Sequence, residues 1–305
     1  QLAREPAFLH RHPPVMDFYF AILQFLRVAE EWGEDFRFQL SRSGGRQSLV
    51  ITLNCLDPSR QLAARHAAAH AVIAFSATLS PLHWSRASLG LAEDAVCTRA
   101  TSPFAPDQLT VDIATDLDTR YRQRQQSLPD LALRLADWLE RIPGNCIVYF
   151  PSYRYMQDAL AQIEKQGAPK TRRTWVQLAG QDDAAREELL ALLAERNDMA
   201  AFCILGGVFG DGIDLPGDRL SSVVVVGVGM PQVNRDTRTL QDWFQQRYGA
   251  GFEYAYLYPG MQKVDQALGR VVRREDDRGS ALLIDPRYRE AAYRELLPPW
   301  WTYRE

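Results

Sequence analysis

Cys146-Ile147-Val148-Tyr149-Phe150 is a run of apolar residues followed at once by Pro151-Ser152-Tyr153, and Tyr153–Gln166 then reads as helix. A strand with apolar residues on both faces belongs inside a sheet that is covered on both sides. The pattern repeats along the chain. A helix over Leu128–Arg141 precedes this strand, and strand Thr174–Leu178, helix Ala184–Arg196 and strand Ala201–Leu205 follow it. Further strands are expected at Ser222–Val228 and Ala281–Ile284. The alternation predicts an α/β fold with a mostly parallel sheet clothed by helices. In open sheets of this kind ligands bind outside the carboxyl ends of the strands. The loops that follow strands are therefore where chemistry is sought.

The segment before residue 115 is less regular. Val15 to Trp32 is apolar and aromatic after Pro13-Pro14, which suits a helix start. Phe36–Leu40 and Leu49–Leu53 read as strands joined by the polar turn Ser41–Gly45. Gln61–His70 is Ala-rich and helical, and Ala71–Phe75 is expected to be a continuous apolar strand leading into Ser76-Ala77-Thr78. The stretch Thr101–Arg124 carries two prolines and then Arg120, Arg122 and Arg124, and reads as a solvated boundary. The expected division is a smaller, incomplete α/β part over 1–115 and a larger one over 116–305.

Composition narrows the class. The chain has 305 residues, 46% hydrophobic and 24% charged, as in an ordinary globular protein. Its net charge of -3 supplies no overall pull toward nucleic acid, so any such contact must be a local patch. No apolar run is long enough to span a bilayer, and no membrane partner is expected. The start lacks both a signal core and an initiating Met, which reads as a piece of a longer cytoplasmic protein. Cys55, Cys97, Cys146 and Cys203 are too widely spaced for a CxxC metal site, and no metal ligands are expected. Cys146 and Cys203 sit in apolar runs, where a thiol is a small core hydrophobe.

Two further elements stand out. After Leu205 comes the glycine-rich loop Gly206-Gly207-Val208-Phe209-Gly210-Asp211-Gly212-Ile213-Asp214-Leu215-Pro216-Gly217. Such a loop lets backbone approach a ligand and frees amides for phosphate, although it lacks the GxGxxG spacing of a dinucleotide fingerprint. The stretch Met261–Arg274 reads as a helix, with Met261, Val264, Leu268, Val271 and Val272 as its apolar stripe. Gln266, Arg270 and Arg273 then share the opposite side, with Gly269 admitting a close approach.

In order along the chain, these elements resemble the motifs of one helicase branch. Ser76-Ala77-Thr78-Leu79-Ser80-Pro81 resembles motif III of superfamily 2 helicases, and Phe150-Pro151-Ser152-Tyr153 resembles motif IV of the DinG/XPD type. Gly212-Ile213-Asp214-Leu215-Pro216-Gly217 resembles motif V, with Asp211 where the family usually has Glu, and Gln266 to Arg273 resembles motif VI. Asp277-Arg278-Gly279 and Asp285-Pro286-Arg287-Tyr288 resemble the closing elements of the family.

The resemblance implies a RecA-like second motor domain that follows the end of an arch insertion and the last part of a first motor domain. It implies that Arg270 and Arg273 act as arginine fingers on the γ-phosphate of ATP. Gln266, Gly212 and Asp214 would complete that edge. Ser152, Tyr153 and Gly207 would lie nearer single-stranded DNA, and Ser76 and Thr78 would couple the two sites. It further implies Mg²⁺ with the ATP, and an iron–sulfur cluster (4Fe-4S) upstream; it indicates no particular protein partner. A non-catalytic RecA-like scaffold or DNA-binding module is the competing class. The three lysines, Lys165, Lys170 and Lys263, follow Glu, Pro and Gln, so no Gly-Lys-Ser/Thr phosphate loop is present, nor any Asp-Glu dipeptide. Residues 1–305 alone are therefore expected not to hydrolyse ATP. A steady-state turnover assay with and without single-stranded DNA checks this, and a clear rate contradicts it.

Overall fold

The computed structural model describes residues 13–42, 49–167, 172–181, 183–207, 209, 215 and 217–305. The chain forms two compact units, one of residues 1–75 and 82–97, the other of residues 76–81 and 98–305. Among the described residues no helix is long and apolar enough to cross a membrane.

In the first unit, α1 (Pro13–Glu30) precedes an antiparallel pair, β1 (Phe36–Arg42) and β2 (Leu49–Cys55), then α2 (Ser59–Ala67) and α3 (Leu82–Ser88). Two strands cannot enclose a core, and Phe38, Leu40, Leu49 and Ile51 all remain exposed. The unit's polar anchor is Asp35, which accepts hydrogen bonds from Arg60 and from Gln61 Nε2, the latter at 2.7 Å. The strand expected at Ala71–Phe75 is absent. A strand needs a ladder partner for its amides and carbonyls, and no described strand pairs with this run, which leaves Ile73 84% and Phe75 89% exposed.

The second unit is built on a seven-stranded sheet in the order β5-β6-β4-β7-β8-β3-β9. Its strands are β3 (Leu109–Ala114), β4 (Cys146–Phe150), β5 (Arg173–Val176), β6 (Met199–Ile204), β7 (Ser222–Val226), β8 (Gly279–Ile284) and β9 (Thr302–Arg304). Every pairing is parallel. Both faces are covered, as the unbroken apolar runs require. Ile147, Tyr149, Val223 and Val225 face a core shared with α6 (Asp183–Glu195) and α8 (Tyr258–Leu268). Cys146, Val148, Phe150, Val224 and Val226 face α4 (Arg124–Arg141) and α5 (Tyr153–Lys165). Burial pushes the Cys146 thiol up to about 11, as suits a core hydrophobe. An exposed helix, α7 (Arg235–Tyr248), is capped by Asn234 and closed by Gly249 at φ 69°.

Three sequence expectations change here. The boundary stretch Thr101–Arg124 contains β3, which lies between β8 and β9 inside the sheet, so the second unit begins well before 116. The Arg120–Arg124 cluster is only partly solvated. Arg120 pairs with Asp118 at the surface, but Arg124 is half-buried. The helix expected over Met261–Arg274 runs from Tyr258 to Leu268 instead. Gly269 caps it, and Arg270 and Val271 turn back through amide bonds to Ala267 O and Leu268 O at 3.3 Å. On that turn Val271 and Val272 are 1% and 2% exposed, so both remain in the core. Gln266, Arg270 and Arg273 therefore share no helical face. The tail packs inward, with Trp301 stacked on Phe104 and β9 paired to β3.

One side chain fixes the amino edge of this sheet. Asn145 is fully buried just before β4. Its Nδ2 donates to Leu193 O at 3.0 Å, Arg196 O at 2.6 Å and Arg219 O at 3.0 Å, and its Oδ1 accepts from Met199 N at 3.0 Å. Removal would orphan several buried backbone groups. Asn145→Ala is expected to lower unfolding free energy by about 3 kcal/mol, measured by urea denaturation.

Candidate functional site

The turn after β4 starts with Ser152 in extended backbone, whose Oγ caps α5 by accepting from Tyr155 N at 3.4 Å. The Tyr153 hydroxyl accepts from Gln177 Nε2 at 2.9 Å, and Gln177 Oε1 accepts from Ile204 N at 2.8 Å. Gln177 is buried, and its Nε2 lies 3.7 Å from where a Cβ on Gly207 would sit. One carboxamide thus bridges Tyr153 and Ile204, with Gly207 alongside, outside the carboxyl ends of β4, β5 and β6. Sequence reading missed Gln177. The available signal was a polar residue immediately after the short run Trp175-Val176.

Next to this turn, α8 is drawn tight against the loop after β7. A Cβ on Gly229 (φ 64°) would lie 2.5 Å from Gly260 O, and one on Gly260 2.7 Å from Val228 O. Only glycine permits that backbone contact at both positions. From the same helix turn, the methylenes of Lys263 fill the space beside Gly206 (φ 75°). Gln262 Nε2 donates to Thr78 O at 2.7 Å, and Thr78 N donates to Ser76 Oγ at 3.2 Å. The Ser76–Thr78 turn is thereby tied to the helix that carries Gln266. Neither Gln262 nor Lys263 was singled out from the sequence, because nothing in Met261-Gln262-Lys263 marks them except helical spacing.

Gln266 is half-buried in the last turn of α8, Arg270 is 4% exposed, and Arg273 is exposed. The two arginines leave the helix end on a loop rather than a common face. That loop is braced from beneath. Asp277 Oδ2 accepts from Arg273 N at 2.8 Å and Arg274 N at 2.9 Å. Gln108 Nε2 donates to Arg274 O, Glu275 O and Asp277 O, the last at 2.9 Å. A Cβ on Gly279 would strike Val271 Cγ1 at 2.2 Å, so Asp277-Arg278-Gly279 shapes this loop. Gly212 and Asp214 lie outside the described residues, as does Asp211.

The other closing element braces the opposite part of the carboxyl edge. Asp285 is fully buried, caps its own turn through Arg287 N at 2.9 Å, and holds the Arg287 guanidinium at 2.7 and 2.8 Å. Thr119 donates to Asp285 Oδ2, and the Tyr288 hydroxyl donates to Gly227 O at 2.9 Å. Among the described residues no group of three His, Cys, Asp or Glu side chains gathers as a metal site. The arrangement can offer a paired carboxamide and backbone amides to one ligand edge and guanidinium groups to another.

A family model described as the helicase C-terminal domain matches residues 135–304. The chain is 25% identical over 204 residues to the ATP-dependent DNA helicase CHL1 of Meyerozyma guilliermondii, covering 61% of this chain and 25% of that protein. It is 25% identical over 267 residues to the general transcription and DNA repair factor IIH helicase subunit XPD/RAD3 of Saccharomyces cerevisiae, covering 82% of this chain and 34% of that protein. A solved XPD helicase structure superposes with a TM-score of 0.67 at 18% identity, over 90% of this chain and 48% of the other. The chain thus spans only a quarter to a third of the length of these curated relatives.

Asp277→Ala is expected to speed hydrogen exchange at the Arg273 and Arg274 amides and to cost about 2 kcal/mol of stability. Exchange mass spectrometry with a denaturant titration reads both.

Proposed function

Because the chain belongs to the helicase C-terminal domain family, in its DinG/XPD-type branch, we propose that it is the C-terminal motor part of an ATP-dependent DNA helicase. The observation that carries this is the buried Arg270 on a loop braced by Asp277 and Gln108, leaving the helix whose other end meets the Ser76–Thr78 turn. A scaffold has no need of an arginine carried on a loop braced in this way. In this reading ATP is clamped between this domain and a phosphate-loop domain supplied by the rest of the full-length protein. Arg270 and Arg273 face the γ-phosphate, where a guanidinium stabilises charge on the transferred oxygens. Gln266, Gly212 and Asp214 shape that edge. Mg²⁺ would come with the nucleotide and be held by carboxylates of the rest of the full-length protein, where cysteine thiolates would hold a 4Fe-4S cluster.

Single-stranded DNA lies across Ser152, Tyr153 and Gly207, with Gln177 bonded to Tyr153 beside Gly207, and its phosphate backbone meets this edge. Gln262 is the mechanical link. Its hydrogen bond to Thr78 joins the Ser76–Thr78 turn to α8, so that movement at one reaches the other. Residues 1 to about 40 are assigned to the end of an arch insertion, and those from about 48 to 97, apart from the Ser76–Pro81 turn, to the close of the first motor domain. The uncovered apolar residues of the first unit, Ile73 and Phe75 among them, suit that assignment.

The test is ATP hydrolysis stimulated by single-stranded DNA, using the full-length protein. Arg270→Ala is expected to lower the stimulated rate by roughly a thousandfold, in the range found for arginine fingers. An unchanged rate removes the arginine-finger assignment, and an inactive parent protein favours a scaffold. Gln262→Ala is expected to keep basal turnover while losing most of the stimulation by DNA, and equal stimulation in that variant rejects the link.

A further inference from the structure

Arg124 opens α4 beside the turn after β4, and its surroundings are unusual for an arginine. Its Cζ lies 4.5 Å from the centroid of the Tyr155 ring and 5.8 Å from that of Tyr121. Its Nε donates to Thr119 O at 2.9 Å. That carbonyl is its one hydrogen-bond acceptor among the described residues, and no carboxylate forms an ion pair with it. The nearby carboxylates are otherwise engaged, Asp118 with Arg120 and Asp285 with Arg287. A half-buried guanidinium with no counter-ion is costly to maintain unless an anion completes it. Burial draws the guanidinium below its ordinary value and pushes the Tyr155 phenol up to about 12, as expected of a desolvated cation set against a ring.

The position of this group gives it a ligand. Tyr155 is the residue whose amide Ser152 caps, so Arg124 stands one helical turn from Ser152–Tyr153. Thr119 lies against Gly227, 3.4 Å from where a Cβ would sit, and Pro151 borders the same point at 4.0 Å. Tyr121, on the outer side of the guanidinium, is 83% exposed. An aromatic ring left in water beside an unpaired arginine is the pairing that binds single strands, the ring stacking a base and the cation taking a phosphate.

We infer that Tyr121 and Arg124 form an additional single-strand clamp that extends the groove past Ser152–Tyr153, Arg124 holding a phosphate and Tyr121 stacking a base. Tyr155 serves as the platform that keeps the guanidinium extended toward the strand. This clamp rests on the reading of Ser152–Tyr153 as a DNA-facing turn.

The experiment is anisotropy of a labelled oligothymidine with the full-length protein across a salt series. Arg124→Gln is expected to reduce the slope of log K against log salt by about 0.7, the value for one phosphate on a single strand. Tyr121→Ala is expected to weaken binding about tenfold through lost stacking, with the slope unchanged and with Tyr121→Phe restoring affinity. Because Tyr121 is exposed, its replacement tests the clamp even where Arg124→Gln lowers thermal stability. Weaker binding by Arg124→Gln at an unchanged slope marks a structural arginine and overturns its phosphate role. Normal binding by both variants overturns the clamp while leaving Ser152–Tyr153 standing. Failure of the unaltered protein to bind the oligonucleotide removes the underlying reading and the clamp with it.

Discussion

A buried carboxamide sets the frame on which everything else is hung. Asn145 satisfies its hydrogen-bonding capacity inside the protein, joining the end of α6, the entry to β6 and the segment before β7 to the start of the central strand β4. Parallel strands have no hairpin to set their register, so something at their amino ends must. With that edge fixed, the carboxyl ends of β4, β6 and β7 emerge at defined heights, and the turn at Ser152, the glycine pair at Gly206-Gly207 and the bend at Gly227 fall beside one another. The placement of the ligand-facing loops is thus decided at the far end of the sheet from where they act.

At the carboxyl edge the same economy recurs with different chemistry. Gln177 joins two loops, Asp277 and Gln108 brace a third, and Asp285 with Arg287 and Thr119 secures a fourth. Each is a buried polar group whose partners are backbone groups or neighbouring side chains, which gives loops a rigidity that apolar packing alone cannot supply. Glycines do the complementary work by letting backbones touch, at Gly229 against Gly260 and at Gly279 against Ser221.

The core strands were legible because their residues carry the evidence themselves. Val223 to Val226 alternate between two buried faces, and no other environment suits such a run. The motifs were legible as a series in chain order, and Tyr153 and Gly207 both lie beside Gln177. What the sequence could not convey was tertiary override. Val271 and Val272 fit a helical stripe, yet the helix ends before Gly269 and both are buried on the turn that follows it. Ala71–Phe75 has strand composition without a ladder to join, and Leu109–Ala114 joins one despite lying in a stretch that reads as a connection. Gln177, Gln262 and Arg124 were missed for one reason: a polar side chain's value depends on which distant atoms surround it, and spacing along the chain does not encode that.

The position of β3 has a consequence for how the protein comes into being. Leu109 pairs with Gly279 and Thr110 with Thr302, so a strand translated early waits for neighbours translated long after it. Meanwhile β4, β5, β6 and β7 can pair among themselves from a contiguous stretch. Nascent chains therefore hold an unsatisfied apolar strand at the ribosome until the closing segment emerges, a window in which edge-to-edge association competes with folding. Covering β3 therefore falls to the last-made part of the chain, β8 and β9, whatever the stability of the strands between.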